Sequence, residues 1–276
     1  MKIILLHPGQ MGVSIGSALL ANEHSVLWLE KGRSSATVGR AKRAGLVAYH
    51  DLPTLLAAGE AVISVCPPEA ALDVARQVAS INSEILYLDA NAISPQTSLD
   101  IATIFGDYYV DGGIIGPPAT KQGNTRLYLS GVQADHVASW FAGSLIQAPV
   151  LKAGGVTASL LKMCYAAYTK GHAALLANVR ALALAGDIES ALFEEWQISQ
   201  PGILERSEAT LTAVAPKAWR FKAEMEQIAA TFESFGLPGE FHEGAAEIYD
   251  RLKGFRDDED LDPNEVARKL GVRRDP

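Results

Sequence analysis

Only two cysteines, Cys66 and Cys164, occur in the 276 residues, and neither they nor the six histidines show metal-like spacing. That excludes a disulfide-stapled scaffold and a Cys/His metal centre, and it fits free thiols in a cytoplasmic protein. Basic charge is scarce as well: 24 Lys and Arg stand against 32 Asp and Glu, a net charge of −8. No dominant basic face is left for nucleic acid or an anionic membrane, although one local phosphate pocket remains compatible. Long apolar runs are missing too. The opening Met1 to Leu6 stops at His7 and Pro8, and the helix-like stretch 156–185 is broken by Lys162, Lys170, His172, Asn178 and Arg180. Neither a signal peptide nor a span of about 20 apolar residues is expected. What is present, 48% hydrophobic and 20% charged residues, is the composition of a folded globular chain, long enough for two domains.

Short apolar runs alternate with helical stretches through the first half: Ile3 to Leu6, Val26 to Leu29, Ala61 to Val65 and Ile85 to Leu88, then Tyr108 to Val110 and Leu127 to Leu129. Strand-length runs separated by crossover helices predict an α/β fold, a Rossmann-type doubly wound sheet buried on both faces. After Val150 the texture is helical throughout. The expected division is a dinucleotide-binding domain over 1–152 and an all-α substrate and dimerisation domain over 153–276.

The first strand runs into His7-Pro8-Gly9-Gln10-Met11-Gly12, with Gly16 one turn further. In a dinucleotide fingerprint the second glycine lets the backbone approach the pyrophosphate and the third lets helix and strand pack closely; Gly9 and Gly12 take those places. Gln10 and Met11 open the helix, whose N–H groups and dipole favour an anion. His7 replaces the first glycine. Glu30 ends the second strand, 18 residues beyond Gly12, where an acid binds the ribose of NAD. Lys31, Arg33 and Ser34 follow and suit a 2′-phosphate instead. Three potential phosphate ligands against one acid favour NADP over NAD; a plain solvated charged loop also explains all four. Asn91 follows the carboxyl end of a strand, where such sheets place ligands, and is a candidate to orient substrate or the nicotinamide ribose. Ser94 before Pro95 reads as a helix cap.

With this turn, the segment Asp89-Ala90-Asn91-Ala92-Ile93-Ser94-Pro95, and the helical opening 155–171, the chain resembles the β-hydroxyacid dehydrogenase and 6-phosphogluconate dehydrogenase-like superfamily. Its C-terminal half resembles the branch whose helical domain was catalogued as being of unknown function, through Ser159 to Tyr165, Lys170-Gly171, Lys217 to Arg220, Glu224 to Ile228 and Phe241 to Glu243. The resemblance implies a catalytic lysine at Lys162 and a loop at Cys66 and Pro67 beside the nicotinamide ring. It also implies a homodimer of embracing helical domains. Two departures stand out: Tyr165 and Ala166 replace the usual asparagines, and Asp111 to Pro118 replaces the Ser-Gly-Gly substrate loop.

On a helix Lys162, Tyr165 and Thr169 share a face, with small Ala158 and Ala166 on the same stripe, leaving room for a ligand. Lys170 is a candidate contact for a substrate carboxylate or a surface charge. Trp219 and His242 are candidate pocket residues, and Arg220 and Glu224 are spaced to pair. The expected activity is NAD(P)-linked hydride transfer to or from a small polar hydroxy or keto compound. Imine reduction or opine formation is the second enzymatic reading, and a dinucleotide-sensing protein without turnover is the third.

Overall fold

The computed structural model describes residues 1–258 and 260–271; position 259 and the end of the expected second domain, 272–276, lie outside them. The chain divides into two compact units, Met1–Met163 and Cys164–Pro276.

In the first unit, strands β1 (Lys2–Leu6), β2 (Ser25–Leu29), β3 (Val47–Tyr49), β4 (Ala61–Ser64), β5 (Leu86–Asp89), β6 (Tyr109–Ile115), β7 (Thr125–Ser130) and β8 (Ile146–Gln147) form one sheet in the order β3-β2-β1-β4-β5-β6-β7-β8. Alternation along each strand feeds two cores. Ile3 and Leu5 pack with Ile15, Leu19, Trp28 and Ile63 on one face, and Ile4 and Leu6 pack with Leu27, Leu55, Val62 and Tyr87 on the other. Burial on both faces is why these strands read as continuous apolar runs.

Helices α1 (Gln10–Ala21), α2 (Ser35–Arg43), α3 (Leu52–Ala58), α4 (Ala71–Ala79), α5 (Pro95–Phe105) and α6 (Ala134–Ser139) connect the strands. The side chains of Ser34, Asp51 and Ser94 cap α2, α3 and α5 by accepting the N–H of the third residue on, as such residues do at helix starts. Gly9, at the N-cap of α1, offers no side chain.

Two strands are too short to be expected: β3 is three residues long and largely exposed, and β8 is two residues long. The pairing of β6 with β7 is antiparallel. No helix intervenes between them, and a direct connection returns the chain in the opposite sense.

Helix α7 (Thr157–Ala185) starts in the first unit and continues into the second. The second unit adds α8 (Glu189–Ser199), α9 (Ile203–Val214), α10 (Ala218–Ser234), α11 (Glu240–Leu252) and α12 (Pro263–Gly271), and no strand occurs among its described residues. Arg180 is its internal tie: 1% exposed, it pairs with Glu189 at 3.0 Å, donates to Ser207 and Asn264, and lies over the Phe193 ring. A buried guanidinium is tolerable only with partners of this kind, which here engage both terminal nitrogens. No helix among the described residues is long and apolar enough to cross a membrane.

Candidate active site

The turn after β1 carries a conformational signature. His7 lies at φ 65°, the left-handed region that glycine enters freely and other residues enter at a cost. The missing first glycine is thus replaced in sequence but not in backbone shape. A Cβ on Gly12 would stand 2.7 Å from the His7 carbonyl oxygen, so close packing of α1 on the turn requires glycine there. A Cβ on Gly9 would meet only that same oxygen, at 4.0 Å, and would otherwise point into open space.

Around this turn lie the ends of β2 and β4. Arg33 is half-buried, within electrostatic reach of both His7 and Cys66. Burial, helped by the Arg33 charge, pushes the His7 imidazole down to about 4. Its Nδ1 and the Nε of Arg33 are buried without a hydrogen-bond partner among the described residues. Two orphaned polar atoms beside an uncapped helix start and an open glycine face fit the phosphates of a dinucleotide. Glu30 is half-buried, while Lys31 and Ser34 are exposed. The Ser34 hydroxyl, offered by the sequence as a phosphate ligand, is occupied in capping α2.

Asn91 is 3% exposed and spends its side chain internally. Its Oδ1 accepts the Cys66 N–H at 2.5 Å, and its Nδ2 donates to Asp89 at 2.7 Å and Ser64 at 3.2 Å. It acts as a brace for the Cys66-Pro67 loop. Asp89 is fully buried beneath this brace, and burial, with Asp111 on the neighbouring strand adding to it, raises its carboxyl to about 7. Burial likewise pushes the Cys66 thiol up to about 12, so it is inert as a nucleophile.

Lys162, half-buried on the opening turns of α7, lies against the sheet. A Cβ on Gly113 of β6 would stand 2.5 Å from the Ala158 carbonyl oxygen and 3.2 Å from the Lys162 Cβ. Gly113 is what lets the helix carrying this lysine approach. Beside it, Asp111 gathers hydroxyls from α5, β7 and α7. In the sequence Asp89 and Asp111 stand out only as the first residues of longer segments; their own signal is an acid embedded in an otherwise apolar strand.

In the second unit Tyr165 is 46% exposed, and Thr169 donates its hydroxyl to the Tyr165 carbonyl. Lys170 forms a half-buried ion pair with Glu224 and lies over the Phe221 ring. The expected pairing of Arg220 with Glu224 is replaced by this one, and Arg220 rests over Phe221 instead. Trp219 stacks under Arg256. His242 is buried between Phe232 and Phe241, with Nδ1 unpartnered among the described residues. No cluster of metal-ligating side chains occurs among the described residues.

Residues 183–252 match the profile of the domain of unknown function DUF1932. A structure of the conserved protein MTH1747 of unknown function, described as structurally similar to 3-hydroxyacid dehydrogenases, superposes with a TM-score of 0.69 at 23% identity, over 99% of this chain and 100% of that one. That likeness is one of fold, and it extends over the whole of both chains. The 3-hydroxyisobutyrate dehydrogenase of Mycobacterium tuberculosis, solved with L-serine, gives 0.69 at 16% identity over 98% and 99% of the two chains. A reductive aminase from Aspergillus terreus, solved with NADPH and ethyl levulinate, gives 0.55 at 16% identity over 96% and 97%. An uncharacterized 28.5 kDa protein from the 7S RNA 5′ region of Methanothermus fervidus is 36% identical over 156 residues, 55% of this chain. The chain spans 59% of the length of that relative.

Proposed function

We propose that the protein is an NAD(P)-dependent oxidoreductase acting on a small polar hydroxy or keto compound, with Lys162 as its proton donor and acceptor. The observation that carries this reading is the seating of Lys162 against Gly113, on the unit that also bears the His7 to Gly12 turn.

A bound nicotinamide supplies or accepts the hydride. The chain's own part is positional and acid–base. Gly9 to Gly12 and the start of α1 receive the pyrophosphate, and the braced Cys66-Pro67 loop borders the nicotinamide. Lys162 gives a proton to the oxygen during reduction and takes one from the hydroxyl during oxidation. Arg33, with an unpartnered Nε, favours the 2′-phosphate of NADP, assisted by exposed Lys31.

The likeness to a reductive aminase supports imine reduction as a second reading; a lysine in place at 162 favours carbonyl chemistry. Tyr165, Thr169, Lys170, Trp219 and His242 are the residues of the second unit assigned to substrate, with Lys170 acting through its pair with Glu224. The same unit is assigned to homodimerisation, and two free thiols suit a cytoplasmic setting.

Replacing Lys162 by Met tests the reading. With an oxidised or reduced substrate found by absorbance at 340 nm, the variant should keep its cofactor Kd while kcat falls by about 10²–10⁴, the usual effect of losing a positioned acid. Unchanged turnover would remove Lys162 from the role. Cofactor binding without turnover on any hydroxyacid, ketoacid or imine would leave the sensing reading.

A further inference from the structure

The start of α7 is held in an unusual way. The first N–H groups of a helix have no partner within it and are ordinarily taken by the residue that precedes the helix. Here they are taken by the sheet. Ala158 donates its N–H to the Ser130 hydroxyl of β7 at 3.0 Å, and Ser159 donates its N–H to Asp111 Oδ2 of β6 at 2.8 Å.

Asp111 is completely buried. Its Oδ1 accepts the hydroxyls of Ser159 at 2.5 Å and Ser98 at 2.9 Å, and its Oδ2 also accepts the Ser130 hydroxyl at 3.0 Å. Two of the hydrogen bonds reaching this carboxylate therefore come from one residue of α7. Bonds to a buried charge are shorter and stronger than neutral ones. Ser159 and Lys162 are three residues apart on the same helix, hence on one face. Asp111 and Gly113 are two apart on one strand, hence also on one face. The carboxylate therefore grips the helix one turn before Lys162, while Gly113 lets the backbone at Ala158 and the Lys162 Cβ settle onto the strand.

We propose that Asp111 is the positioning residue for Lys162, acting through the N–H and hydroxyl of Ser159 to set where the lysine stands over the sheet edge. This rests on the assignment of Lys162 made above. Asp111 itself need touch neither substrate nor cofactor. Its work is to hold the first turn of α7 at one height and rotation, and the amine that grows from that turn inherits both.

The test uses the full-length protein with Ser159→Ala, Ser159→Thr and Asp111→Asn, compared with Lys162→Met. Ser159→Ala, which removes the hydroxyl bond to Asp111 and keeps the N–H bond, should lower kcat several-fold, with KM and cofactor Kd unchanged. Ser159→Thr, which keeps a hydroxyl, should restore it. A second readout needs no substrate: acylation of lysines followed by peptide mass spectrometry. In Ser159→Ala and Asp111→Asn the half-buried Lys162 should acylate several-fold faster relative to exposed Lys121. If Lys162→Met loses turnover while Ser159→Ala and Asp111→Asn retain full kcat and unchanged Lys162 reactivity, the positioning role is overturned and the assignment of Lys162 stands. If the Ala and Thr variants are equally impaired, packing rather than the hydroxyl is at work and the proposal fails. If Lys162→Met keeps full turnover, the assignment of Lys162 falls, and this proposal with it.

Discussion

The carbonyl oxygen of His7, a residue at φ 65°, lies 2.7 Å from where a Cβ on Gly12 would stand. The two positions form one unit: the left-handed turn aims the carbonyl under α1, and only a glycine on the helix leaves it room.

The glycines of this turn should therefore separate in their effects. Gly12→Val forces a side chain into backbone and should destabilise the protein by about 1–3 kcal/mol, as overpacking does, read from urea unfolding. Gly9→Val has open space and should fold normally while losing dinucleotide affinity in calorimetry. Equal unfolding midpoints for Gly12→Val and wild type would contradict this assignment.

His7 gives an acid-side prediction. Its folded-state value near 4 lies below the ordinary 6.5, so the unfolded chain binds the proton more readily. The stability this contributes is complete above about pH 6.5 and lost as pH falls toward 4. His7→Gly also relieves the left-handed backbone. The variant should melt no lower than wild type near pH 7.5 and lose less stability between pH 6.5 and 4.5.

Asp89 has the opposite sign. Its carboxyl is raised from 3.8 to about 7 by burial, so the folded protein holds the proton that the unfolded chain releases. That contribution is full below about 3.8 and lost as pH rises through 7. Asp89→Asn, with nothing to ionise, should flatten this slope. Thermal melts from pH 4.5 to 8 check it, and parallel slopes in the two proteins would contradict it.

Much of the first unit was legible because β1, β2, β4 and β5 are buried on both faces and each carries an unbroken apolar run, with polar residues only at its ends. β3 and β8 escaped notice for the converse reason: one is exposed and the other is two residues long. The turn at Gly9 and Gly12 could be read from spacing, but the role of His7 could not, since backbone shape is not encoded by residue type alone. Asn91 reads as a ligand contact in sequence because it follows a strand. Only three dimensions reveal that Cys66, Ser64 and Asp89 use up its amide. The pairing of Lys170 with Glu224 joins positions far apart in the chain and leaves no local pattern.

Along α7, Tyr165, Tyr168, Leu175 and Leu182 are 46%, 73%, 46% and 73% exposed, and their spacing keeps them near one face. An apolar stripe of this length on a helix suits a second copy of the chain. Light scattering at micromolar concentration should give a dimer for wild type and a monomer for the double variant Tyr168→Asp, Leu182→Asp. A wild-type monomer would count against the assembly.

The division between the two units after Met163 falls inside α7, and this bears on any attempt to dissect the protein. A fragment ending at residue 152, where the strand-rich sequence stops, would lack Ser159. The buried Asp111 carboxylate would then lose both bonds that the helix brings, and Ser130 would lose the N–H of Ala158. Such a fragment carries every strand of the sheet and still exposes an unquenched acid in its interior. A strand-bearing half meant to fold alone must instead be cut beyond the opening turns of the helix, taking Lys162 with it.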